Sequence, residues 1–97
     1  MVKHIVMFKL QGSDEARREV AQRFKAALDK LPSQIDVLQS IETALNENPA
    51  EDWDIVLTAI VPTMADVATY AKHPAHVAAA AIIKDAKLAR ACVDYPF

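Results

Sequence analysis

The 97-residue sequence predicts an α+β fold, and three observations carry this prediction. Several segments alternate apolar and polar residues with the period of two that is typical of β-strands. Other segments repeat their apolar residues at steps of three and four, which is the spacing of an amphipathic helix. Along the chain the segments follow the order β-α-β-β-α-β. This is the ferredoxin-like arrangement, in which helices cover one face of an antiparallel four-stranded sheet.

The first two predicted elements are a strand and a long helix. The strand covers Val2–Leu10, and its middle is apolar on both faces, with Val6 on one side and Ile5 on the other. After a short turn, Ser13 can cap a helix over residues 14–31, which a proline then ends. The stripe of this helix that we expect to be buried consists of Ala16, Val20, Phe24, Leu28 and Leu31.

Three more strands complete the predicted sheet. Val37–Leu45 and Trp53–Val61 both alternate with period two, and the polar segment Asn46–Asp52 joins them as a turn. Leu88–Tyr95 forms the last strand. We expect the antiparallel sheet to carry helices on one face only, so the other face should normally be polar.

The other face of this sheet is not polar. Whichever face the helices take, the opposite one keeps several apolar residues from the set Ile5, Met7, Leu38, Val56, Ile60, Ala91 and Val93, or from their alternates. An apolar patch of this size is usually an association surface. We therefore expect a homodimer in which two sheets pack face to face around a two-fold axis. The alternative is a monomer with an unusually apolar sheet face.

The composition indicates one folded domain over residues 1–97. A hydrophobic content of 53% and a charged content of 25% are typical of a folded globular protein. The net charge of -2 gives no general attraction to nucleic acid or to an anionic membrane, and we expect neither as a partner. The single cysteine, Cys92, cannot form an internal disulfide bond, which favours the cytoplasm.

The segment Thr63–Lys84 predicts two short helices joined at a proline. Thr63 can cap the first helix, with Asp66 as its partner in a capping box. Pro74 ends this helix because it pushes the preceding residue out of the α region, and it is well placed to begin the second helix, over residues 74–85. Four consecutive alanines, Ala78–Ala81, then suggest the wall of a pocket.

This joint also concentrates polar ring side chains. His76 falls in the first turn of the second helix, where the helix dipole disfavours an imidazolium. A neutral imidazole beside Tyr70 is a plausible acid/base pair. A pocket of about 300 Å³ or more with both rings on its wall would support this interpretation. Otherwise Tyr70 is a core residue with a satisfied hydroxyl, and His76 is a helix-start histidine whose ring bonds a neighbouring backbone group.

The segments VKHIVMFKL, WDIVLTAIV and ATYAKHPAHVAAAA, with VDY near the end, resemble the stress-responsive A/B barrel domain family of dimeric α+β barrels. The resemblance extends over essentially the whole chain and implies a dimeric barrel closed by two four-stranded sheets. Its best understood enzymatic branch is a plant polyketide cyclase, which uses aldol chemistry. The acid/base residues of that branch fall at Tyr70 and His76, and a further histidine falls at His4. Two departures are Thr43–Ala44–Leu45, where many relatives carry a glycine, and the alanine run.

Two hypotheses of function follow. We prefer a protein of unassigned activity that binds a small apolar ligand in a pocket between sheet and helices. The alternative is a cofactor-free, polyketide-cyclase-like lyase or isomerase that uses His76 and Tyr70 as its catalytic pair. We expect no metal, because the proline break turns two of the three histidines away from the usual helical pair of ligands, and no cofactor, because the sequence has no glycine-rich phosphate loop. The remaining candidate ligand-binding residues are His4, Val6, Phe8, Phe24 and His73.

Overall fold

A computed structural model describes all residues from Met1 to Phe97 and confirms the α+β, ferredoxin-like prediction. Antiparallel pairing joins all neighbouring strands in the order β2-β3-β1-β4. None of the helices is both long and apolar enough to cross a membrane. The elements are β1 (Val2–Leu10), α1 (Asp14–Asp29), a 3-10 helix (Leu31–Ser33), β2 (Ser40–Leu45), β3 (Ile55–Val61), α2 (Met64–Lys72), α3 (Pro74–Ala81) and β4 (Lys87–Pro96).

The helix starts follow the capping residues that the sequence predicts. The Ser13 hydroxyl accepts a hydrogen bond from the Ala16 amide at 3.1 Å and so caps α1. Thr63 and Asp66 form a complete capping box at the start of α2. These contacts satisfy backbone N–H groups that have no partner inside the helix. They explain why both helices begin where the pattern places them.

Two strand starts and two helix ends differ from the prediction. α1 ends at Asp29, two residues early, and Ala16 of its expected buried stripe is exposed. The chain turns before β2, where the Leu38 amide donates to the Ile35 carbonyl, so Val37 and Leu38 lie outside the strand. Leu38 is thereby buried in the core and not on the sheet face opposite the helices. β3 begins at Ile55, two residues after Trp53. α3 ends at Ala81 because the following amides bond three residues back, which gives tight turns instead of a further helical turn.

The core lies between the helices and one face of the sheet. Every second residue of β1, from Val2 to Leu10, is buried on this face. Phe8 of β1 meets Phe24 of α1 edge to face, with 5.6 Å between ring centroids. Seventeen buried apolar residues form one continuous cluster here. A single core therefore joins the sheet to all three helices.

The opposite face of the sheet is apolar at its centre and has no helix over it. Met7 pairs with Val56 of β3, and Ile5 pairs with Val93 of β4. Met7, Val56 and Val93 are exposed. We call this surface, Ile5, Met7, Val56 and Val93, the open face. Its apolar character agrees with the sequence-based expectation.

Candidate functional site

A cavity of about 520 Å³ lies between the sheet and the pair α2–α3. It is lined by 17 residues, of which 12 are hydrophobic. β1, β3 and β4 form its floor, and the two short helices form its roof. Its volume falls within the range typical of small-molecule sites. The alanines Ala68, Ala71 and Ala80 take up little of this space, which is one reason why the region is hollow.

Tyr70 lines the cavity and carries a buried hydroxyl that has no partner. Its side chain is 1% exposed, and the hydroxyl has no hydrogen-bond partner in the protein. Burial raises the pKa of Tyr70 well above its usual value, while the charge of Arg90 acts in the opposite direction. The group therefore stays protonated at neutral pH and is available as a donor. A buried hydroxyl without a partner costs about 1–3 kcal/mol of free energy. A ligand that accepts a hydrogen bond from Tyr70 would remove this cost.

His76 lies next to Tyr70, with 4.6 Å between the ring centroids. Its Nδ1 is 2.9 Å from the Ala71 carbonyl oxygen. A carbonyl only accepts, so Nδ1 carries the hydrogen and Nε2 of the neutral ring is left with a lone pair. Burial lowers the pKa of His76, although the hydrogen bond to Ala71 opposes this shift. His76 is thus a neutral base beside a protonated phenol.

His4, Cys92 and Asp94 form a polar cluster on the sheet side of the cavity. Nδ1 of His4 is 2.5 Å from a carboxylate oxygen of Asp94, and the Cys92 sulfur is 3.5 Å from the same nitrogen. Burial raises the pKa of the Cys92 thiol, and the negative charge of Asp94 raises it further. One donor atom from each residue lies within 4.8 Å of the others, so these three side chains are the ones that could hold a metal ion.

The cavity mouth carries two cations from β4. Lys87 and Arg90 both line the cavity, and both are exposed. Neither of them forms an ion pair with a carboxylate. The mouth is therefore positively charged, while most of the wall behind it is apolar.

The structure places nearly all of the predicted site residues on this one cavity. Its wall includes His4, Val6, Phe8, Phe24, Tyr70 and His76. His73 does not line it, because its ring accepts a hydrogen bond from the Ala75 amide at 3.0 Å and caps α3.

The contribution of β4 was not predicted from the sequence. Cys92 entered only as a cysteine without a disulfide partner, and Lys87, Arg90 and Asp94 had no predicted role. The available signal was the polar alternation of Arg90, Cys92 and Asp94 along a strand whose other face is apolar. Antiparallel pairing of β1 with β4 then sets Asp94 directly opposite His4. Strand alternation combined with the predicted topology would have revealed this polar edge of the site.

A second cleft, of about 370 Å³, lies between the start of α1 and the turn before β3. Its lining is mostly polar, and its central charges are already paired. Arg17 contacts Asp14 at 2.6 Å and Asp54 at 3.2 Å, while Asp54 also accepts from the Leu10 amide at 2.7 Å. These contacts hold β1, α1 and the start of β3 together. The charged side chains of this cleft are therefore explained by their structural role and do not require a ligand.

Comparison with protein families gives one match over almost the whole chain. The family described as the stress responsive A/B barrel domain matches residues 2–97. None of the curated proteins matches this chain.

Solved structures with the same fold include both dimers of unknown function and an enzyme. A dimeric protein of unknown function from Bacteroides fragilis is 47% identical, with a TM-score of 0.96 over 99% of this chain and 95% of that chain. A dimeric ferredoxin-like protein of unknown function from Thermobifida fusca is 26% identical, with a TM-score of 0.82 over 99% and 90%. The hydroxynitrile lyase of Passiflora edulis is 16% identical, with a TM-score of 0.75 over 97% and 90%, a similarity that shows the fold alone.

Proposed function

Since the chain belongs to the stress responsive A/B barrel domain family, we propose that it is a cytoplasmic homodimer that binds a small apolar ligand between its sheet and helices. The observation that carries this proposal is the cavity of about 520 Å³, whose lining includes Tyr70 with its unpaired hydroxyl. The cytoplasm suits a protein whose only cysteine is a free thiol.

The lining defines the chemistry of the ligand. Twelve of the wall residues are hydrophobic, which favours a ligand that is mostly apolar, because burying apolar surface away from water stabilises the complex. The Tyr70 hydroxyl requires an acceptor, and a ketone oxygen is a suitable one. We therefore infer an apolar ligand with a carbonyl or similar oxygen placed beside Tyr70.

Calorimetric titration with the ketone 2-decanone tests this proposal. Ala80 lines the cavity, so Ala80→Phe fills it, whereas Ala78 is exposed on the same helix and Ala78→Phe is the matched control. We expect one ketone per chain, at least about a tenfold loss of affinity in Ala80→Phe, and a change of less than about twofold in Ala78→Phe. Equal affinity in the two variants, or no binding to the wild-type protein, contradicts the proposal.

The dimer part of the proposal is supported by the open face. Exposed Met7, Val56 and Val93 at the centre of a sheet are unfavourable in water. Two similar solved proteins, from Bacteroides fragilis and Thermobifida fusca, are described as dimeric. The open face of a second copy is the natural cover, because a two-fold contact matches the patch to itself.

Light scattering during gel filtration tests the dimer. The wild-type protein should elute with twice the 10.7 kDa mass of one chain. Val93→Glu should shift it toward the single-chain mass, because burying an unpaired carboxylate is costly. Val77→Glu changes an equally apolar exposed residue on α3 and should leave the mass unchanged. A single-chain mass for the wild-type protein at micromolar concentration contradicts this assignment.

The geometry also favours one reaction, which makes a lyase or isomerase the second candidate. His76 and Tyr70 are adjacent, and their protonation states suit a base and a donor. In this reaction Nε2 of His76 takes a proton from the carbon next to the ketone, and Tyr70 donates a hydrogen bond to the enolate oxygen that forms. Returning a solvent deuteron to that carbon completes an exchange without any cofactor.

Proton exchange of 2-decanone in D₂O, followed by NMR, separates binding from catalysis. An enzyme accelerates deuterium uptake beside the carbonyl, and both His76→Gln and Tyr70→Phe slow it by about a hundredfold or more. Exchange in the wild-type protein at the rate of buffer alone rules out this second candidate. Binding without exchange would leave only the first.

A further inference from the structure

Lys87 and Arg90 are the only lysine and arginine side chains on the cavity wall, and neither has a carboxylate partner. Lys9, Arg17, Arg18 and Lys25 each lie within 4.0 Å of a carboxylate, whereas Lys87 and Arg90 do not. The only carboxylate on the cavity wall, Asp94, is 2.5 Å from His4 and so already has a partner. The positive charge of the mouth is therefore left without a partner in the protein.

An irregularity in β4 brings these two cations to the same side. Lys87 and Arg90 are three residues apart, so a regular strand would direct them to opposite faces. The register between β1 and β4 shifts at Lys9/Leu10, where the partner changes from Ala89 to Lys87 and skips Leu88. Lys87 thereby pairs with Leu10, and Arg90 with Phe8, on the helix-covered face. Bulges of this kind re-aim side chains and are common beside functional sites.

We propose that the ligand of the cavity carries, besides the oxygen beside Tyr70, a carboxylate that binds Arg90 and Lys87 at the mouth, with its apolar body spanning the space between the two ends. This inference rests on the proposed function, since it names the chemical class of ligand for the same cavity. A guanidinium holds a carboxylate through two parallel hydrogen bonds, and the lysine adds a second positive charge. The apolar walls behind the mouth strengthen this attraction, because they lower the local dielectric.

An uncharged ligand fits the mouth less well. It would leave two adjacent cations without a counter-charge, and the apolar wall gives no reason to place them there. A purely anionic ligand such as inorganic phosphate would not fill the 12 hydrophobic positions of the lining. The combination favours an amphipathic acid, such as a long-chain or aryl-substituted acid that also carries an oxygen acceptor for Tyr70.

Calorimetric titration with decanoate and with decan-1-ol tests the proposal, because the two probes share the chain and differ in charge. At about pH 7.5 the acid is fully ionised. We expect Arg90→Gln to lower the affinity for decanoate at least about tenfold and Lys87→Gln to lower it about threefold. The affinity for decan-1-ol should change less than about twofold in both variants. Lys84→Gln alters an exposed lysine off the cavity and should affect neither probe.

Salt gives an independent readout. Raising NaCl from about 20 to about 500 mM should lower the affinity for decanoate and leave the affinity for decan-1-ol unchanged. Arg90→Gln should reduce this salt dependence of decanoate binding. Binding of decan-1-ol together with decanoate affinity that neither substitution changes overturns the carboxylate assignment and leaves the apolar site intact. No binding of either probe to the wild-type protein overturns the proposed function and this inference with it.

Discussion

Two halves of the same sheet face are packed very differently. Beneath α1 and the 3-10 helix, Leu28 and Ile35 are 0% and 1% exposed and belong to a closed core. Beneath α2 and α3, the same face borders a cavity of about 520 Å³. We call these regions the packed half and the hollow half. The chain could have filled the second as it filled the first, but it carries alanines there.

The difference shows how a small protein can divide stability from function. Alanine favours the helix strongly and adds almost no side-chain volume. The run Ala78–Ala81 therefore keeps α3 helical, and Ala80, its only member on the cavity wall, leaves the space below it open. Pro74 and the capping ring of His73 fix where α3 begins. The packed half then supplies most of the burial that stabilises the fold, while the hollow half keeps room and an unpaired hydroxyl for a ligand.

Matched truncation of two isoleucines should give the largest difference between the halves. Ile35 and Ile83 are both buried and both lie outside regular helix or strand, but only Ile83 borders the cavity. We expect Ile35→Ala to lower the free energy of unfolding by about 2–5 kcal/mol, since it opens a new void. Ile83→Ala should cost at least about 1 kcal/mol less, because empty space is already present beside it.

Urea denaturation at one fixed protein concentration measures both costs, since the stability of a dimer depends on concentration. Ile35→Val, which removes a single methyl group, serves as the graded control and should cost about 0.5–1.5 kcal/mol. An equal or larger loss in Ile83→Ala would mean that the hollow half is as tightly packed as the other.

Enlarging two adjacent alanines sharpens the same comparison. Ala79 is buried in the core, and Ala80, the next residue of α3, lines the cavity. Ala79→Leu should lower the free energy of unfolding by about 1–3 kcal/mol through overpacking. Ala80→Leu should change it by less than about 1 kcal/mol or raise it, because the added atoms enter existing space. Thermal unfolding followed by circular dichroism measures both, and similar losses would show that no usable space exists below Ala80.

Tyr70→Phe should separate stability from binding. Removing a buried hydroxyl that has no partner should leave the free energy of unfolding unchanged or raise it by up to about 1–2 kcal/mol. The same substitution should lower the affinity for 2-decanone by about fivefold to tenfold, because the ketone oxygen loses its hydrogen-bond donor. Tyr95→Phe, at an exposed position outside the cavity, should change neither quantity. A clear loss of stability in Tyr70→Phe would show that the hydroxyl is satisfied in solution.

The smallest expected effect is a pH dependence from His76. Its pKa is lowered in the folded state, so the unfolded state takes up the proton first as the pH falls below about 6.5. The contribution of neutral His76 to the free energy of unfolding is therefore fully present above about pH 6.5. This contribution is lost as the pH falls from there toward the lower pKa of the folded state. His76→Gln should therefore lose less stability than the wild-type protein between about pH 7 and pH 5. Parallel stability curves over this range would show that His76 is solvated like a surface histidine.

Much of the fold was predictable because local chemistry determines it. Period-two alternation identified the strands, and the cap residues Ser13 and Thr63 located two helix starts. The start of β2 was wrong by three residues, because Leu38 turns into the core although its local sequence continues the alternation. Tertiary packing outweighed the local pattern at that point.

The site was predictable only where one segment carries it. Tyr70 and His76 lie close in sequence, so the proline joint placed them together. The pairing of His4 with Asp94 joins opposite ends of the chain and depends on strand register. The orientation of Lys87 depends on a register shift that no periodic pattern announces. The remaining part of the site therefore depends on the register between strands that are distant in sequence, which the local sequence does not determine.

A crystal structure of the protein with 2-decanone tests the central claim most directly, because it shows whether the hollow half holds a ligand. We predict one ketone per chain beneath α2 and α3, with its oxygen about 2.7–3.0 Å from the Tyr70 hydroxyl oxygen. Density for the ketone elsewhere, or collapse of α2 and α3 onto the sheet, would contradict the account.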